Sequence, residues 1–240
     1  MAPPNLGSAN AFAALLNGRD FGLLQPRYHP ALIGTHPSAY QLMPRARHNR
    51  VIVAPGGATG VNIYDAALWA SHGWGVLDPR ERDRLAILMP DIDDSGTRRA
   101  QATQHLARML SRAEQFHRAI DLAATAPYTD MFLVAGTGLD TLATSRFDEV
   151  DRRLVQLSME EGDGVVLRAS ALSDEGQGGH IRTGPNRPIG YRTVLLLPGE
   201  HVALTNSPVF SDNLLYWLLD APRARAAPLA TRNDGASAGD

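Results

Sequence analysis

The stretch Glu160-Glu161-Gly162-Asp163-Gly164-Val165-Val166, followed by Thr193-Val194-Leu195-Leu196-Leu197-Pro198-Gly199-Glu200-His201-Val202, decides how this chain is read. Each half has the form of a strand end: an apolar segment meets Gly, and one ionisable side chain stands where the backbone turns. A carboxylate and an imidazole on such turns are the acid and base of nucleophilic acyl-transfer chemistry. The carboxylate fixes the imidazole tautomer, leaving the other ring nitrogen to take a proton from a nucleophile.

In α/β-hydrolase triads the acid also precedes the base in the chain, as Asp163 precedes His201 here. The runs GTGLDT (136–141), EGDGVV (161–166) and LLPGEHVALTNSPVF (196–210) resemble the C-terminal third of the lecithin:cholesterol acyltransferase (LCAT) family. Its pattern is a GTG-x-x-T turn after a strand, a GD-x-x-V turn bearing the catalytic Asp, and a His followed by an apolar stretch and a closing helix. LGSANAFAALLNGRDFG (6–22) and THPSAYQLMPR (35–45) resemble the family's segment just after its nucleophile-bearing helix. The likeness spans residues 5–220 and is weakest between 50 and 110.

What the resemblance implies is an α/β fold: the C-terminal part of an α/β-hydrolase sheet with an inserted helical cap. By motif position Asp163 is the acid and His201 the base. Residues 1–48 form the post-nucleophile helix and connection, 49–128 the cap, 129–220 the core with the acid and base turns, and 221–240 a disordered tail. The implied activity is serine acyl hydrolysis or O-acyl transfer on a lipid or other acyl ester, with no cofactor. The family's G-x-S-x-G elbow and oxyanion loop precede, in family order, the segment with which this chain begins. A truncated or split chain, inactive alone, is therefore expected. Its N-terminal half would be supplied in trans, or its uncovered sheet edge would self-associate.

Other readings stay open. Gly235-Ala236-Ser237-Ala238-Gly239 matches the elbow literally, but it follows the His and has no preceding apolar strand, so a small-residue terminus is the better reading. Ser8 and Ser170 are candidate nucleophiles for a distinct hydrolase using the same pair. His180 rivals His201 as base, with His201 favoured because a strand end is the better fixed platform. A non-catalytic relative, whose cap binds an apolar ligand or a protein partner, is the alternative to an enzyme.

Composition bounds the class. The chain has 240 residues, 44% of them hydrophobic, enough for a substantial core. The formal charge of -2 with no long basic run argues against a nucleic-acid footprint, and the exclusive use of Arg among the basic residues reads as a compositional habit. Without Cys there is no thiolate nucleophile or disulfide framework. The start, Met1-Ala2-Pro3-Pro4, lacks the features of a signal peptide, and no apolar run reaches transmembrane length, so a cytoplasmic protein is expected.

Along the chain, Ser or Asn before apolar residues at helical spacing predicts a helix over 8–17, stopped by Gly18. Residues 21–40 read as a long surface connection whose His29 and His36 lack a third metal ligand. The strand 51–54 feeds Pro55-Gly56-Gly57-Ala58-Thr59-Gly60, but the spacing fits neither a P-loop nor a dinucleotide fingerprint, leaving a flexible turn. Helices are predicted over 62–74, from Asp78-Pro79 to about 89, and over 97–124. The acidic turn 90–96 fails as a calcium loop because Ala102 stands where a bidentate Glu is needed. On the longest helix His105 and His117, twelve residues apart, make no ligand pair. A strand over 130–135, an edge or insertion hairpin over 152–158, an irregular 174–190 and a closing helix over 208–219 complete the expectation.

Overall fold

The computed structural model describes residues 2–20, 22, 26–45, 48–53, 60–121, 130–173 and 191–221. Its elements run α1 (Ala9–Asn17), α2 (Pro30–Ile33), α3 (Pro37–Gln41), β1 (Val51–Ile52), α4 (Ala66–His72), α5 (Arg82–Leu88), α6 (Ser95–Ile120), β2 (Phe132–Thr137), β3 (Leu139–Asp148), β4 (Arg153–Gly162), α7 (Arg168–Ala171), β5 (Thr193–Pro198) and α8 (Pro208–Leu215). A π-helical turn, Tyr216–Asp220, prolongs α8. The fold is α/β.

Short-range chemistry sets most helix ends. The Asp65 side chain accepts from the Ala67 N–H to open α4, which closes at left-handed Gly73. Asp78 accepts from the Arg80 N–H ahead of Pro79, and α5 follows that single 3₁₀ turn. Asp94 accepts from the Thr97 N–H and starts α6. Because an N-cap carboxylate satisfies an otherwise orphaned donor and faces the positive helix end, it is favoured there over any apolar residue.

The larger core gathers Phe12 and Leu16 of α1, Tyr40 of α3, Trp69 of α4, Trp74, and Leu106 and Leu110 of α6. Phe12 meets Trp69 and Trp74 edge-on, each at 5.7 Å between ring centroids. Phe147 of β3 and Leu154 of β4 belong to the same core. Residues on both sides of position 48 therefore share one apolar interior with the β3–β4 hairpin.

The strands form two small sheets. β2 and β5 are parallel, from Phe132 opposite Thr193 to Thr137 opposite Pro198. Both faces of β2 are covered, as parallel strands require. Val134 packs with Ala2, Leu197, Leu204 and Phe210, whereas Leu133 and Ala135 pack with Val166, Ala171 and Leu172. β3 and β4 form an antiparallel hairpin, and β1 pairs with β3 in parallel.

Several expectations change. The 21–40 connection contains α2 and α3, each with Pro in its first turn, a position where the missing N–H costs nothing. Residues 139–148 are a full strand that sequence reading omitted. A register shift between Leu142 and Thr144 breaks its alternation, and polar Thr141 and Ser145 are buried in it. The hairpin expected over 152–158 is the second arm of that unit, so Asp163 leaves an antiparallel hairpin and not a strand of the β2–β5 sheet. The Gly-rich turn at 54–59, the helix end beyond 121, the irregular 174–190 with His180, and the tail from 222 with Ser237 lie outside the described residues. Among those described, no helix is long and apolar enough to cross a membrane.

Candidate functional site

The C-terminal ends of β2 and β5 point the same way, and the acid turn is folded over the end of β2. Gly136, in β2, permits this: a Cβ there would stand 2.3 Å from the Cβ of Asp163. Gly162, at the end of β4, is under similar constraint, since its Cβ would meet the Val166 carbonyl at 2.3 Å and the Thr141 hydroxyl at 2.5 Å. Gly136 and Gly162 thus leave room for the acid turn to bed against β2 and β3.

Asp163 is 1% exposed, and its carboxylate is fully engaged. Oδ1 accepts from the Val165 and Val166 N–H groups at 3.0 and 2.7 Å, and the Asp163 N–H donates to the Val166 carbonyl. The turn is therefore closed around its own carboxylate. Oδ2 faces outward and accepts from Nδ1 of His201 at 2.8 Å. The His201 backbone N–H donates to the Asp163 carbonyl at 3.0 Å, so the two turns are joined by main chain as well as side chain. His201 follows β5 and Gly199, with 28% of its side chain exposed. A carboxylate acceptor at Nδ1 places that ring proton on Nδ1 and leaves the Nε2 lone pair free to accept a proton. Among the described residues, Nε2 makes no hydrogen bond.

The surroundings brace this pair. Glu161, next to the acid turn, pairs with the Thr137 hydroxyl at the end of β2 and with Arg168 of α7. The Thr137 hydrogen bond first, and then Arg168, hold the Glu161 carboxyl below its ordinary value. Ser8 donates from Oγ to the Val165 carbonyl at 2.6 Å, and Asn10 donates to the carbonyls of Gly164 and Val165. Ser170, fully buried, donates to the Gly7 carbonyl and accepts from the Leu6 N–H.

The structure thus brings Asp163 and His201 together, and it gives Ser8 and Ser170 work as braces: each hydroxyl donates to a main-chain carbonyl. Sequence reading missed Thr137, Asn10 and Glu161 as parts of the site. Their polar side chains carry no spacing signal: Asn10 arrives with the return of the N-terminal segment, and Thr137 meets Glu161 where the end of β2 reaches the end of β4. His105 and His117 stay apart from the pair, bonded to the Gly34 and Gln41 carbonyls, respectively. Neither a protein-family model nor a curated protein matches this chain.

Proposed function

We propose that this chain carries the acid and base of an LCAT-like serine acyl hydrolase or O-acyltransferase of the α/β-hydrolase type, acting on a lipid or other acyl ester. The observation that supports this most is the Asp163–His201 contact. A buried carboxylate, fixed by two main-chain N–H groups, orients a half-buried imidazole with its second nitrogen open. In such a pair Nε2 takes the proton of an attacking serine and returns it to the leaving group, while the carboxylate stabilises the imidazolium between those steps. The serine would come from a strand-turn-helix elbow on another polypeptide segment; the candidates Ser8 and Ser170 spend their hydroxyls on main-chain carbonyls.

A fluorophosphonate probe tests the reading. The chain alone is expected to remain unlabelled and to hydrolyse p-nitrophenyl acyl esters no faster than its Asp163→Asn and His201→Ala variants. A serine labelled in the chain alone, with labelling lost in His201→Ala, would place the nucleophile within these residues and overturn the split-chain reading.

A further inference from the structure

We infer that Thr141 is a positioning residue for the acid and base, holding the Asp163 turn where its carboxylate reaches His201. This inference rests on the proposed pairing role of Asp163. Thr141 lies on β3, the strand beside the hairpin arm that leads into the acid turn, and it is 1% exposed.

Its hydroxyl accepts from the Gly164 N–H at 2.8 Å and donates to the Leu139 carbonyl at 3.2 Å. The second bond fixes the first, because donation to Leu139 turns an oxygen lone pair toward Gly164. The other N–H donors of the Asp163 turn are satisfied within it, those of Val165 and Val166 by Oδ1 and that of Asp163 by the Val166 carbonyl, while its carbonyls accept from Ser8, Asn10 and the His201 N–H. The Gly164 N–H is the donor directed away from the turn into the sheet, and Thr141 receives that donor.

Two close approaches show how little room the arrangement leaves. Gly164 is left-handed at φ +83, which points its N–H toward β3, and Gly162 lies against the Thr141 side chain with no space for a Cβ. Tilting the turn away from Thr141 would carry Oδ2 away from Nδ1 of His201, since both ends belong to one four-residue loop. Thr141→Val keeps the shape and removes the acceptor, leaving the Gly164 N–H without its partner in the sheet. Thr141→Ser keeps the acceptor and removes only a methyl group.

The readout is the proton NMR signal of the His201 Nδ1–H in the full chain, whose position and solvent exchange report the bond to Asp163. The wild type and Thr141→Ser should both show it far downfield. In Thr141→Val it should be lost or exchange at least about tenfold faster, with secondary structure unchanged by circular dichroism. A Thr141→Val protein that keeps the wild-type signal overturns the assignment. So does a folded Thr141→Ser protein that loses it, which keeps the test decisive should the Val variant fail to fold. Asp163→Asn supplies the reference: if the wild-type signal is missing or survives that change, the pairing itself fails, independently of Thr141.

Discussion

The two carboxylate oxygens of Asp163 divide the work. Oδ1 closes the turn and Oδ2 orients His201. Asp163→Ala strips both, leaving main-chain donors unpaired in a buried turn, and should cost about 2–4 kcal/mol in urea unfolding. Asp163→Asn retains an oxygen for the turn and should cost about 1 kcal/mol or less, while presenting an amide to Nδ1 and favouring the wrong imidazole tautomer. Equal losses for the two variants would contradict this division. His117 offers a separate pH handle. Its Nε2 donates to the Gln41 carbonyl, so Nδ1 accepts from the Tyr64 hydroxyl at 2.6 Å. Burial pushes that phenol up to about 12, keeping it a donor. Burial is also the largest cause lowering the His117 pKa from its ordinary 6.5. The unfolded chain therefore binds this proton more readily than the folded one. The contribution of His117 to stability is complete above 6.5 and is lost as pH falls through the lower folded value. Replacing His117 by Gln should flatten that part of the stability profile, as read by thermal melts across pH 5–8. The two ionisable residues of the site were legible from sequence because each stands on a Gly-bounded turn. Its braces were not, because Thr141, Ser8 and Asn10 reach the acid turn from distant parts of the chain.

Among the elements, α6 depends on its start. Asp94 accepts from both the N–H and the hydroxyl of Thr97, and those bonds hold its carboxyl below the ordinary value. Asp94→Ala should lower stability, and Asp94→Asn should lower it by less. Leu106, fully buried in the middle of α6, is a packing residue, and Leu106→Ala should cost about 2–5 kcal/mol in the same denaturant assay. The long helix announced itself in the sequence through apolar residues at three- and four-residue steps and an acidic N-cap. β3 did not, for a physical reason: its inward positions include Thr141 and Ser145, and its register shifts after Leu142, so neither polarity nor period marks it. A strand that braces a turn with the hydroxyl of a buried Thr gives up the alternation by which strands are recognised.

At the scale of the whole molecule the decisive feature is what the described residues leave uncovered on the β2–β5 sheet. On the β2 edge away from β5, the Ala2 N–H donating to the Val134 carbonyl at 2.7 Å is the single backbone hydrogen bond among the described residues. Alongside, Phe132 stacks on Trp217 at 4.7 Å, and the helix beyond it exposes Leu215, Leu218 and Leu219 at 55%, 64% and 76%. An open strand edge beside an apolar helical stripe is a site of association. The chain alone should therefore self-associate at micromolar concentration, and Leu215→Lys combined with Leu218→Lys should shift it toward monomer in light scattering. A monodisperse wild-type monomer with a cooperative melt would contradict the open-edge account. The central claim, that Asp163 and His201 serve a serine held outside the described residues, is tested most directly by fluorophosphonate labelling of the protein in its native cells, where a serine supplied by the same or another polypeptide is present. The account predicts a labelled serine on a G-x-S-x-G turn, with labelling abolished by His201→Ala and severely reduced by Asp163→Asn. Labelling that is absent, or that persists undiminished in both variants, would contradict it.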